Sequence, residues 1–136
     1  MTDTFTLDPR LDADTAGIID LPLSTVRLMR DARYPWVILI PRQPSLVELT
    51  DLTRDDQIAL MDETAHVSAS LKAETGCPKL NVAAIGNIVR QLHVHVVARF
   101  EGDAAWPGPV WGKHPPLAYD AEKEAALIAS LRARLS

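Results

Sequence analysis

Two histidines one residue apart, in Gln91-Leu92-His93-Val94-His95-Val96-Val97, are the densest concentration of chemistry in the chain. Imidazole is a nucleophile, a proton carrier and a metal ligand near neutral pH. Polar and apolar residues alternate here at the period of a β-strand, whose successive side chains point to opposite faces. The alternation predicts that Gln91, His93 and His95 share one face and that Leu92, Val94, Val96 and Ala98 share the other. Three readings suit such a pair. A neutral imidazole nitrogen can attack phosphorus and form a phosphoramidate that water later cleaves, with the neighbouring imidazole as a donor. Two imidazoles can begin a metal site, but zinc needs a third and usually a fourth ligand, and Asp31, His66 and His114 show no supporting spacing. Two polar residues can also simply line a solvated strand face.

The residues upstream favour a site. Asn81 is expected on a strand that pairs with the histidine strand. Gly86-Asn87 lies at the turn between the two, where a glycine allows positive φ or close approach of a ligand and an amide can donate to an oxygen anion. Asp31 follows an earlier strand, and a carboxylate commonly accepts hydrogen bonds from ribose hydroxyls. Each also has a purely structural reading: Asn87 can stabilise its turn, and Asp31 can start one or pair with Arg33.

The elements that must hold these residues are readable from pattern. Phe5 and Leu7 suggest a short edge strand, and Asp8-Pro9 a turn. Thr25–Met29 alternates as a strand, and the apolar run Trp36–Ile40, closed by Pro41, suits a central strand, the two forming an antiparallel hairpin. A first helical region is expected near Leu46. Thr53-Arg54-Asp55-Asp56 resembles a capping box and starts a longer helix, with Ile58, Met61, Ala65 and Ala69 toward the core and His66 on its flank. Gly76 and Pro78 stop that helix. Lys79 to Ala84 is expected as a strand, and the histidine strand runs from about Arg90 to Phe100. Residues 101–118 form a Pro-, Gly- and Trp-rich tail whose tryptophans need cover from the sheet or a partner subunit. Asp120 begins a last helix, about 120–135, with Leu127, Ile128, Leu131 and Leu135 on one side. Two main helices and about five strands without βαβ alternation indicate an α+β domain with a mainly antiparallel sheet.

Composition bounds the function. The 136 residues suit a single domain, and 47% hydrophobic with 24% charged residues is ordinary for a globular protein. A net charge of −4 argues against a general nucleic-acid binder but leaves room for a pocket holding one small anion. No apolar run of about 18 residues suggests a membrane span, and no secretory signal is evident. A single cysteine, Cys77, fits a reducing cytoplasm; set between Gly76 and Pro78, it lacks the surroundings of a reactive thiol.

Taken together, these motifs resemble the histidine-triad (HIT) family of nucleotide hydrolases and transferases. The family signature alternates three histidines with apolar residues, preceded by a Gly-Gln or similar pair and, further upstream, by an Asp before an apolar strand ending in Pro. Here Gln91 to Val97, Gly86-Asn87, and Asp31 before Trp36–Pro41 match it over roughly residues 21–100. The resemblance implies a HIT-like domain spanning 1–136, acting at the α-phosphate of a nucleoside phosphate: a dinucleoside polyphosphate, a phosphoramidate or an adenylylated compound. It implies His93 as the nucleophile that carries a covalent nucleotide, His95 and Asn87 as phosphate contacts beside Gly86, Asp31 at the ribose and Asn81 in the pocket. It implies no required cofactor, with Mg²⁺ able to neutralise a polyphosphate leaving group, and a homodimer. Two positions depart from the pattern. Gln91 replaces the first histidine and cannot carry a proton, and Ile88 replaces a residue that often offers a hydroxyl. A weakly active nucleotide-binding or sensing protein is therefore the alternative, and a histidine-based metal protein a lesser one. Arg90, by alternation, is expected to point away from the site, and His114 to be a solvated loop residue.

Overall fold

The computed structural model describes residues 4–136. Strands β1 (Thr15–Asp20), β2 (Ser24–Met29), β3 (Trp36–Pro41), β4 (Lys79–Ala83) and β5 (Val94–Arg99) form one antiparallel sheet in the order β1-β2-β3-β5-β4. Helix α1 (Pro9–Asp14) precedes the sheet, α2 (Arg54–Thr75) links β3 to β4 after a short 3₁₀ turn at Leu49–Asp51, and α3 (Ala121–Leu135) ends the chain. The α+β class, the five strands and the two main helices agree with the sequence reading.

β3 is buried along its whole length because both of its faces are covered. Val37 and Leu39 pack with Val96, Val67, Leu71 and Leu131 beneath α2 and α3. Trp36, Ile38 and Ile40 face the other way, toward Val97 and toward Ala105 and Val110 of the tail. The tail therefore covers the sheet face opposite the helices. His93 and His95 lie on that tail-covered side, since His95 pairs with Ile38 and shares its face. β2 and β3 form the expected hairpin, with Val26 opposite Leu39.

Three expectations fail for identifiable reasons. The edge strand is Thr15–Asp20 rather than the segment at Phe5 and Leu7. Asp8-Pro9 begins a helix: the Asp8 carboxylate accepts from Arg10 N–H at 2.8 Å, and Pro9 fills the first helical position. The signals for a turn and for a helix start are the same residues here. The predicted core stripe of α2 is also on the wrong side. Ile58, Met61, Ala65 and Ala69 are exposed, and the buried arc is Leu60, Glu63, Thr64, Val67, Ser70 and Leu71. Half of that arc is polar because the Glu63 carboxylate accepts from the backbone N–H groups of Leu23 and Ser24 at 2.7 and 2.9 Å. A buried acid satisfied in this way leaves no hydrophobic periodicity to read. The ends of α2 are as expected: Thr53 Oγ1 accepts from Asp56 N–H, and Gly76 closes the helix in the left-handed region at φ 68°. The helical region expected near Leu46 is only the 3₁₀ turn.

Candidate active site

β5 begins at Val94, about four residues later than the start expected near Arg90. The stretch between β4 and β5, residues 84–93, is irregular, and it forms most of the wall of a cavity of about 330 Å³. Val47, Glu48 and Leu49 form the facing wall; Gly86, Asn87, Arg90, Gln91 and His93 contribute the side with the chemistry. The turn is tight. Gly86 has φ 59°, and a Cβ there would stand 3.0 Å from the Val89 carbonyl oxygen and 3.9 Å from His93 Cε1. Only glycine fits this backbone without strain, and the result is close approach of the turn to the imidazole ring.

His93 and His95 are both buried, with ring centroids 4.8 Å apart, so the two rings share one side as the alternation predicts. His93 Nδ1 lies 2.6 Å from the Gln91 carbonyl oxygen. A carbonyl only accepts, so Nδ1 is the donor, and in the neutral ring Nε2 is the nitrogen with a free lone pair. His95 Nδ1 lies 3.0 Å from Trp36 Nε1. Burial, with a smaller contribution from His93, pushes the His95 pKa down to about 3, so the ring is neutral at neutral pH.

The remaining candidates separate into those at the cavity and those elsewhere. Gly86, Asn87, Gln91 and His93 line it. The Gln91 side chain, however, is turned to the amino-terminal segment: its Oε1 accepts from Asp8 N–H at 2.8 Å and its Nε2 donates to the Thr6 carbonyl at 2.9 Å. Asp31 and Asn81 do not line the cavity, and neither does His95, whose ring stands 4.8 Å from that of His93 at the wall. The Asp31 carboxylate is buried and accepts from the N–H groups of Arg33 and Leu117. Asn81 shares the histidine face of the sheet but accepts from Arg99 Nη1 at 2.8 Å. Ile88 is 83% exposed and takes no part in the cavity. His114 is exposed near the Ala104 carbonyl, and His66 reaches toward the Leu135 carbonyl at 3.4 Å.

Arg90 corrects the sequence reading. It lines the cavity, and no carboxylate among the described residues pairs with it. Arg90 lies before the strand begins, so the alternation of β5 does not set its direction. Trp36 and Trp111 were also missed as neighbours of the site; no local signal places a tail tryptophan 5.3 Å from a histidine in β5. Among the described residues, no three His, Cys, Asp or Glu side chains converge as a metal-ligand set, and no helix is long and apolar enough to cross a membrane.

A five-stranded antiparallel sheet whose last connection holds His93 against a glycine turn, with the His95 ring beside it on β5, is the frame of the site. The family profile described as HIT domain matches residues 10–102, and the chain belongs to that family, whose members are in general nucleotide-binding hydrolases or transferases. It is similar to a solved histidine triad protein from Bradyrhizobium japonicum, with 51% identity, a TM-score of 0.96, and coverage of 98% of this chain and 100% of that one. A histidine triad protein from Sinorhizobium meliloti 1021 is 48% identical at a TM-score of 0.95, over 97% of this chain and 98% of the other. One from Marinobacter aquaeolei VT8 is 44% identical at a TM-score of 0.95, over 98% and 97%. No curated protein matches the chain.

Proposed function

We propose that the protein is a nucleotide hydrolase or nucleotidyl transferase acting at the α-phosphate of a nucleoside phosphate through a covalent intermediate on His93. The observation that carries this reading is the hydrogen bond from His93 Nδ1 to the Gln91 carbonyl at 2.6 Å, which in the neutral ring keeps Nε2 as the bare nitrogen, at the cavity wall beside Gly86. Nε2 attacks phosphorus, the P–O or P–N bond to the leaving group breaks, and the leaving group departs with the electron pair, an amine taking a proton from solvent as it goes. Water then cleaves the P–N bond to His93 and releases a nucleoside monophosphate. His95, Asn87 and Arg90 supply donors for the phosphate oxygens, each charge-assisted bond contributing about 1.5–3 kcal/mol. Dinucleoside polyphosphates, phosphoramidates and adenylylated compounds are the substrate classes to assay. The ribose and pocket roles expected of Asp31 and Asn81 are left out of this reading, because both side chains are committed to other partners outside the cavity. An imidazole nucleophile requires no metal, so turnover persists in EDTA; Mg²⁺ acts only on polyphosphate substrates, by neutralising the leaving group.

The test is His93→Ala. Release of nucleoside monophosphate falls at least about a thousandfold, as for loss of other nucleophiles, while calorimetry still detects binding of AMP. Full turnover by the variant sinks the mechanism. AMP binding by the natural chain without product from any of the three substrate classes selects the sensing alternative, which Gln91 favours because an amide cannot relay a proton.

The same reading includes a homodimer. β4 is the outer strand of the sheet, and beside its open edge Ile58, Met61 and Val82 are 50%, 68% and 51% exposed, around an apolar groove of about 460 Å³. An exposed edge next to apolar side chains is a template for pairing, and a second copy of β4 satisfies it antiparallel. Val82→Lys with Met61→Lys converts the dimer to a monomer by light scattering. A natural chain that is already monomeric at micromolar concentration refutes this assembly.

A further inference from the structure

We infer that Trp36 is a positioning residue for the site: its indole N–H fixes the tautomer of His95, so that His95 always presents Nε2–H, a donor, to the phosphoryl group. The argument starts from donor chemistry. Indole Nε1 can only donate a hydrogen bond. It stands 3.0 Å from His95 Nδ1, so Nδ1 must be the acceptor and the single proton of the neutral ring must sit on Nε2. A carboxylate or carbonyl at this place would have imposed the opposite arrangement, with Nδ1–H held and Nε2 a bare lone pair.

The contact is built to hold. Trp36 and His95 are both buried, at 7% and 5% exposure. Their ring centroids are 5.6 Å apart. Trp111 from the tail packs edge-on against both, 6.0 Å from Trp36 and 5.3 Å from His95. Tyr34 stands edge-on to Trp36 at 6.3 Å. The indole is thus braced by two rings while it donates to a third, and the tail that covers this face of the sheet fixes the electronic state of a residue in the site. The two imidazoles end with complementary forms. The Gln91 carbonyl leaves His93 a free Nε2 lone pair, and Trp36 leaves His95 an Nε2–H. One attacks and the other stabilises the oxygen on which charge develops. An indole, unlike an imidazole or carboxylate, cannot pass a proton onward, so His95 acts as a fixed donor and the proton needed by the leaving group comes from solvent.

The kinetic part of this inference rests on the proposed reaction; the tautomer does not, and it is measured directly. In ¹⁵N spectra of the natural full-length protein with labelled histidine, His95 Nδ1 shows the shift of an unprotonated nitrogen and Nε2 that of a protonated one. Trp36→Phe keeps an aromatic ring and removes the donor. The His95 nitrogen shifts then move toward a mixture of tautomers, and kcat falls about tenfold or more while KM changes less than about threefold, the pattern of a donor that acts in the transition state. A natural protein with His95 Nδ1 protonated overturns the inference without any variant. A Trp36→Phe protein whose His95 shifts are unchanged, or whose shifts move with no loss of kcat, overturns it as well. Altered shifts in a protein that turns over no nucleotide support the tautomer assignment and refute the proposed reaction, so the two failures are distinct.

Discussion

The two ends of β5 treat a buried titratable group in opposite ways. His95 near the start and Arg99 at the end lie on the same face of the strand, at 5% and 1% exposure. His95 is given an indole N–H and aromatic rings, with no acid in contact, and burial keeps it neutral with a pKa near 3. Arg99 is given an acid. Its Nε and Nη2 donate to the Asp103 carboxylate at 2.8 and 3.0 Å, Nη1 donates to Asn81, and the Trp106 ring lies 5.5 Å from its guanidinium carbon. Those bonds raise the pKa of Arg99 and hold the Asp103 carboxyl down at about 2. Burial alone therefore does not decide charge state; the nearest partner does. One end of the strand is arranged for a neutral ring that can serve chemistry, and the other for a permanent ion pair that anchors the tail.

Acid should expose this contrast most strongly. The folded-state pKa of His95 lies below the ordinary value of 6.5, so the unfolded chain takes up the proton first. The stability at stake is intact above about pH 6.5 and is lost as pH falls toward 3, a total on the order of 5 kcal/mol. The Asp103 carboxyl is also depressed, from 3.8 to about 2, so its contribution is intact above pH 3.8 and is lost only as pH falls through 2. Urea unfolding between pH 7 and pH 4 should show a slope that His95→Asn flattens and Asp103→Asn leaves in place. Next in size, Asp103→Ala leaves a buried guanidinium unpaired and should cost about 3–5 kcal/mol in chemical denaturation, whereas His93→Ala should leave the denaturation midpoint nearly unchanged. Gly86→Ala is smaller: forcing a Cβ into a left-handed turn against the Val89 carbonyl costs about 1–2 kcal/mol, and turnover should fall more than stability because the strain relaxes into the His93 loop. Gln91→Ala is the smallest, about 1 kcal/mol for two exchanged hydrogen bonds, read as faster proteolysis near Thr6 and a melting temperature lower by only a few degrees.

What could be read from the sequence follows the same physical division. Where residues are fixed by local periodicity or local capping, as in β3, the hairpin, the body of β5 and both ends of α2, the pattern sufficed; the start of β5 is the exception. The pairing of His93 with His95 and the glycine turn beside them were visible for that reason. Where a side chain is settled by a distant partner, the pattern was silent. Asp31 is engaged by Leu117, Asn81 by Arg99, and Glu63 by the start of β2, with sequence separations of 86, 18 and about 40 residues. Arg90 was misread because a strand rule was carried beyond the strand. β1 was missed because a glycine and a register shift between Gly17 and Ile19 weaken its alternation.

The paired amide bonds of Gln91 to Thr6 and Asp8 have a mechanical consequence. The amide that grips residues 6 to 8 belongs to the same residue whose carbonyl orients the His93 ring, so a pull on that segment is passed through one residue to the imidazole. A fluorophore or fusion placed ahead of Thr6 would consequently act as a handle on the His93 ring, while the same label on the outer side of α3 would not.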